Sequence, residues 1–372
     1  MPFILLMPTA AAEGRPQSEG ADYPRGGRPR RAGTISAFPA AVPRRMPMSP
    51  PTRNLIVRLC NQVGDVVLSV PALRLLESHG WRLHLVGKPW AASLLAGHGW
   101  HCHVLPGKGL KRRAALLREL GAQAARDDAG FGQRPNVLLM PNSFSSALEA
   151  RWAGLRPTGY ARDARGWLLS RRLASRDPRH ELVDHWELAC AFLGLDLPPP
   201  ADIALEVSPA DQQRADALIA QRGIRPGFVL LVPFAAGVVD KQDKRWPGFP
   251  AFTRELASCG RDLVVCPGPG GEAEIARRDH PGALCLEGLD LGTYCGVLRR
   301  AALVVSNDTG PAHMAAGVGT PLLSVLGPTK VEQWGPWSPR AHVVTRHPRW
   351  PELADVLTQA TLLLAPGARG PA

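Results

Sequence analysis

No stretch of about 18 consecutive apolar residues occurs in this 372-residue chain, so a membrane-spanning helix is not expected. Its seven cysteines, at positions 60, 102, 190, 259, 266, 285 and 295, are scattered, odd in number and never spaced C-x-x-C. That argues against a disulfide framework or a cysteine zinc site and fits a reducing cytosol. The first glycine turn holds Gly64 alone, without G-x-G-x-x-G, which disfavours a nicotinamide-dependent dehydrogenase. Aromatic residues are only 6%, with no basic–aromatic platform and no recognised nucleic-acid module, so nucleic acid is not an expected partner. No carboxylate cluster suggests a tightly held metal; no metal and no cofactor are expected.

What is present is a basic, α/β-patterned chain. Net charge is +12, which suggests an anionic partner: a phosphorylated substrate, an anionic membrane surface or nucleic acid. Residues 1–51 are rich in Pro, Arg, Gly and Ala without apolar periodicity, and are expected to be disordered or a mis-called extension. Residues 3–7 are too short for a signal-peptide core, and Met46 or Met48 is the expected start.

From residue 54 onward β-prone apolar runs alternate with helical stretches. Strands are expected at 54–60, 82–86, 101–105 and 137–140, with helices from 69, 90 and 111, which implies a parallel doubly wound sheet. A helix at 181–193 precedes the proline run 198–200, and a linker is placed at 197–208. The plan then repeats. Strands are expected at 228–232, 263–266, 283–286, 303–306 and 322–326, and helices at 211–221, 249–258, 272–278 and 353–364. The reading is one domain at 52–196, a second at 209–350, and a helix and tail at 351–372. Two such domains would form a ligand cleft.

The stretch VVSNDTGPAHMAAGVGTPLLSVLGPT at 304–329 is the richest in signals. It reads as strand, polar turn, short helix and strand, with Asp308 as N-cap and Pro311 in the first turn. Asp308, Thr309, Gly310 and His313 then sit at a helix N-terminus beside a strand's carboxyl end, where α/β sheets bind phosphate. The bland alternative is a capped structural helix with a satisfied histidine. Asp65, after the first strand, could act as a general base, although this motif alone fits an ordinary helix N-cap better, Asp being common in that role. Lys244 and Arg245, in a loop entering a helix, are cations suited to a diphosphate, with Trp246 packed beneath. Gly268 opens a glycine-rich turn that could line a nucleotide pocket, although a lone glycine-rich stretch is more often a turn and nothing more. Residues 151–180 hold eight Arg against two Asp, a solvated basic face or a dock for a phosphorylated acceptor.

Together these pieces resemble glycosyltransferase family 9, the ADP-heptose:lipopolysaccharide heptosyltransferases. The resemblance runs over about 54–345 and rests on RLCNQVGDVVLSVPALR at 58–74, PNSFSSAL at 141–148, KRWP at 244–247, NDTG at 307–310 with His313, and GPT at 327–329. The 141–160 region is similar to the heptosyltransferase II branch. The resemblance implies a GT-B fold of two Rossmann-like domains, with the acceptor on the first half and an ADP-sugar on the second. It implies inverting transfer of L-glycero-D-manno-heptose from ADP-heptose to the lipopolysaccharide inner core, by a cytoplasmic protein in peripheral contact with the inner membrane. Asp65 and Lys244 would be catalytic. Lys244, Arg245, Asp308, Thr309, Gly310, His313 and Gly268 would bind donor, and Asn142, Ser143 and Arg58 acceptor. Ser145 stands where the family pattern has Lys, Phe234 where it has Gly, and Lys330 where an acidic or small residue is usual. These departures leave room for another nucleotide-sugar or acceptor. The alternative from outside enzymes is a basic protein binding anionic lipid or nucleic acid.

Overall fold

The apolar runs become strands covered on both faces, as parallel sheets require. The computed structural model describes residues 53–174, 179–239 and 241–365. The expectations for residues 1–51 and for the tail beyond Pro366 lie outside the described residues.

The first half contains β1 (Arg53–Arg58), α1 (Val63–Ser78), β2 (Trp81–Gly87), α2 (Ala91–Leu94), β3 (His101–Val104), α3 (Leu110–Asp127), β4 (Val137–Leu139), α4 (Phe144–Trp152), β5 (Pro157–Tyr160), β6 (Arg171–Leu173) and α5 (Glu181–Leu193). The second contains α6 (Pro209–Gln221), β7 (Val229–Val232), the two-stranded ribbon β8 (Val238–Val239) and β9 (Gln242–Asp243), α7 (Phe249–Leu256), β10 (Leu263–Val265) and α8 (Glu272–Asp279). It continues through β11 (Leu284–Cys285), α9 (Leu291–Arg300), β12 (Leu303–Ser306), α10 (Gly310–Gly317), β13 (Leu322–Leu326), α11 (Val331–Trp334), β14 (Ala341–Thr345) and α12 (Leu353–Leu364).

Two six-stranded sheets result, ordered β3-β2-β1-β4-β5-β6 and β11-β10-β7-β12-β13-β14. All their pairings are parallel, with Arg58 beside Leu139 in the first and Ser306 beside Val232 in the second. Each is the doubly wound Rossmann order, whose reversal lies between β1 and β4 and again between β7 and β12. Strand order therefore puts the turns after β1, β4, β7 and β12 where such sheets receive ligands.

Three apolar clusters divide the core. One covers the outer face of the first sheet with Leu117, Leu120, Phe131 and Ala147, and another the outer face of the second with Phe249, Phe252, Ala276 and Val356. The third runs continuously from Leu55 and Leu73 on the first half through Leu188 to Leu230, Met314 and Leu322 on the second. The inner faces of both sheets thus share one apolar body, through which α1 packs against α5 and α10.

Several expectations are corrected. Helix α1 begins at Val63, not near 69, and carries Pro71 inside it. Asp65 is a first-turn residue rather than an N-cap, since Gln62 caps that helix. Thr309, not Asp308, caps α10. The short strands β5, β6 and β14 and the helices α4 and α9 went unread in the sequence.

Candidate functional site

The site assembles from turns at the carboxyl ends of β12, β7, β13 and β1. After β12, Asn307 is buried, and both ends of its amide are used. Its Oδ1 accepts from the Trp246 backbone N–H at 3.0 Å, and its Nδ2 donates to Pro233 O at 2.7 Å. The loop leaving β7 is thereby tied to the end of β12. Trp246 is buried beneath that loop and donates its indole N–H to Pro351 O at 3.2 Å.

Asp308 is the next residue, almost buried. Its Oδ2 lies 2.6 Å from Lys244 Nζ and accepts from Thr329 Oγ1 at 2.8 Å. One carboxylate therefore gathers the loops after β7 and β13 at the start of α10. The ammonium is only partly exposed, so this pair is held more firmly than a surface ion pair. At α10 the cap Thr309 makes no side-chain cap bond, and Pro311 occupies the first turn, where its missing N–H costs nothing.

The turn after β1 meets this assembly face to face. A Cβ on Gly64 would stand 2.8 Å from His313 Cδ2 and 3.7 Å from Gly310 Cα, and one on Gly310 would stand 3.1 Å from Val63 Cβ. Glycine at both positions lets the N-termini of α1 and α10 approach. Asp65 stands one residue beyond Gly64, half-buried. Burial chiefly, then Glu181, pushes its carboxyl up to about 6, against the pull of His185 and Lys244. A carboxylate of that strength suits proton transfer near neutrality. His313 is buried, with Nδ1 unpartnered, and burial pushes it down to about 4, so its ring is neutral. His180 Nε2 donates to Gly335 O at 2.8 Å, linking the start of α5 to the second half.

Other expected residues are placed differently. Arg58 is 3% exposed, and its guanidinium is turned onto the carbonyls of Leu59 and Val86 and onto Asn61 Oδ1. It braces the β1 turn. Arg245 is half-exposed and clamped to Asp243. Gly268 is exposed at the end of β10, its N–H held by Glu272 Oε2 at 2.7 Å. Asn142 and Ser143 sit at the end of β4. Ser143 caps α4, and Asn142 Oδ1 accepts from Arg165 Nη2 at 3.2 Å.

Arg165 belongs to the basic stretch 151–180, whose sequence fits a solvated face or a dock for a phosphorylated acceptor. It is fully buried and bonds Tyr160 O, Ser143 O and Ser146 Oγ, so it moulds the 141–146 turn. Phe234 points into the second sheet's outer core, which explains why a bulky residue is tolerated after Pro233. Ser145 and Lys330 are exposed. Glu181, His185 and Thr329 also reach this region. Thr329 was visible only as part of GPT, and the other two had no local signal.

The profile of glycosyltransferase family 9 (heptosyltransferase) matches residues 133–360. Lipopolysaccharide heptosyltransferase 3 of Escherichia coli is 31% identical over 139 residues, 35% of this chain and 40% of that protein. Lipooligosaccharide heptosyltransferase 2 of Haemophilus influenzae is 25% identical over 250 residues, 61% of this chain and 70% of that protein. In three dimensions the chain is similar to the E. coli ADP-heptose lipopolysaccharide heptosyltransferase II, with TM-score 0.67, 20% identity, and coverage of 84% of this chain and 98% of that one. An E. coli heptosyltransferase solved with ADP gives TM-score 0.63 at 22% identity, over 84% of this chain and 100% of that one. At these identities the structural likeness establishes the two-domain fold.

Proposed function

Because the chain belongs to glycosyltransferase family 9, we propose that it moves a heptose from ADP-heptose to the inner core of lipopolysaccharide, with inversion at the anomeric carbon. The observation that carries this reading is the meeting of Asp65 with the Lys244–Asp308–Thr329 assembly across the Gly64–Gly310 contact. In this reading Asp65 of one half serves as base and Lys244 of the other as the cation for the diphosphate, Lys244 being near enough to pull on the Asp65 carboxyl. The relatives named above carry heptosyltransferase names, which supports heptose as the sugar.

In this reading the acceptor hydroxyl gives its proton to Asp65 as its oxygen bonds the anomeric carbon. The bond from that carbon to the diphosphate breaks, and ADP leaves. Charge growing on the diphosphate is met by Lys244 and by the N-terminus of α10 at Thr309 and Gly310. Asp308 holds Lys244 in place before the donor arrives and offers its second oxygen to donor hydroxyls. Gly268 and Arg245 flank the nucleotide side. Asn142 and Ser143, shaped by Arg165, face the acceptor. His313, neutral and packed on Gly64, keeps the two turns in register.

No helix among the described residues is long and apolar enough to cross a membrane. Peripheral contact with the inner membrane, where a lipid-linked acceptor resides, is part of the proposal.

The test uses the purified protein, ADP-heptose and inner-core acceptors carrying no, one or two heptoses, with ADP release and acceptor mass as readouts. Transfer to the one-heptose acceptor supports the heptosyltransferase II assignment, and transfer to another moves it within the family. Absence of transfer to all three, with other ADP-sugars accepted, overturns heptose as the donor sugar. Asp65→Ala is expected to lower turnover by at least 10³-fold, a base's usual range being about 10²–10⁴, while ADP affinity changes little. Near-normal turnover in that variant removes Asp65 from the role of base.

A further inference from the structure

Behind the Asp65 turn, Cys60 Sγ, a carboxylate oxygen of Glu181 and a ring nitrogen of His185 all lie within 4.8 Å of one another. Cys60 comes from the turn after β1. Glu181 and His185 stand one turn apart at the start of α5, on the same face of the helix. Cys60 and His185 are buried, and Glu181, with 19% of its side chain exposed, forms the open side.

His185 Nε2 is buried, has no hydrogen-bond partner, and stands 3.5 Å from Glu181 Oε1. A buried imidazole with an unsatisfied nitrogen, a thiol sulfur and a carboxylate therefore lie together.

We propose that Cys60, Glu181 and His185 bind a zinc-like divalent cation directly behind the turn that carries Asp65. Sulfur and imidazole nitrogen with one carboxylate select zinc or cobalt over magnesium or calcium, which take oxygen ligands. Binding takes the thiol as thiolate and releases its proton to solvent. Occupancy would cross-link the β1–α1 turn to α5, the two elements that frame Asp65. This site stands independently of which sugar the enzyme transfers.

The test is binding, not turnover. The full chain, stripped with a chelator, is titrated with Zn²⁺ by calorimetry and with Co²⁺ by absorption spectroscopy. One equivalent of each metal is expected, with a near-ultraviolet thiolate-to-cobalt band and no competition from Mg²⁺. Cys60→Ser should lose that band and weaken Zn²⁺ at least tenfold, and His185→Gln should weaken it similarly. Cys259→Ser, which alters an exposed cysteine far from the group, should leave both unchanged. Thermal melts identify any variant that fails to fold, and Cys60→Ser, the smallest change, then carries the test alone. No binding by the unaltered chain, or a cobalt band that survives in Cys60→Ser, overturns the site.

Discussion

Asp65 pays for its position in stability, and the sign of that cost is testable. Its carboxyl is pushed from 3.8 to about 6, chiefly by burial. Between those values the folded chain holds a proton that the unfolded chain has released, so stability falls as pH rises through this window. Above it the full penalty applies, roughly 2–3 kcal/mol for a displacement of this size. Asp65→Asn removes the penalty while keeping the shape. It is therefore expected to melt a few degrees higher than the parent at pH 8, with the difference vanishing below pH 4. An equal melting temperature at pH 8 would show that burial does not strain this group. If Asp65 is the base, the activity of chelator-treated enzyme is expected to rise with pH through about 6 as it ionises, and that limb should be absent from the residual rate of Asp65→Asn. Asp65 was legible in the sequence because a polar residue after a buried first strand has few places to go. Arg58 was not, because its bonds to the Leu59 and Val86 carbonyls exist only once β2 lies beside β1. Glu181 and His185 carry no local signal, and only the packing of α5 against α1 brings them to Asp65.

At the level of elements, the N-termini of α1 and α10 are held together by the absence of two side chains. Gly64→Ala would drive a methyl to 2.8 Å from the His313 ring, which is boxed in by the buried start of α10. Overpacking of this kind typically costs about 1–3 kcal/mol. The larger effect is expected on function, since the two turns would separate and Asp65 would move from the donor side. Turnover should fall at least tenfold with ADP affinity altered less than threefold, whereas Gly132→Ala, which meets open space, should match the parent in both. A Gly64→Ala enzyme with parental kinetics would show that the contact is mere packing. Sequence reading found the long buried strands and missed β5, β6 and β14, because three to five residues at a sheet's margin carry too little pattern. It began α1 too late because Gly64, in a polar turn, looks like a breaker. Tertiary burial on α5 and α10 overrides that local signal.

For the whole molecule, the two matching sheets were legible because the βα alternation repeats, and their shared inner core was not, since nothing in a strand's sequence names its partner across a cleft. What the fold leaves outside is also informative. Phe144 and Trp167 touch each other, with ring centroids 6.2 Å apart, and Trp167 is 71% exposed. Arg151, Arg156, Arg171 and Arg172 of the same segment are exposed as well. An amphipathic aromatic among cations suits the boundary of an anionic bilayer, where each nearby Arg contributes about 1 kcal/mol and the ring enters the headgroup layer. The protein is therefore expected to sediment with phosphatidylglycerol vesicles at low salt, and not with phosphatidylcholine vesicles. Raising salt from 50 to 500 mM should release it, because the Debye length shortens to roughly 4 Å. Trp167→Ser should weaken vesicle binding about tenfold. If Trp167→Ser sediments like the parent, attraction is spread over the basic surface, and this corner of the first domain is not the point of attachment.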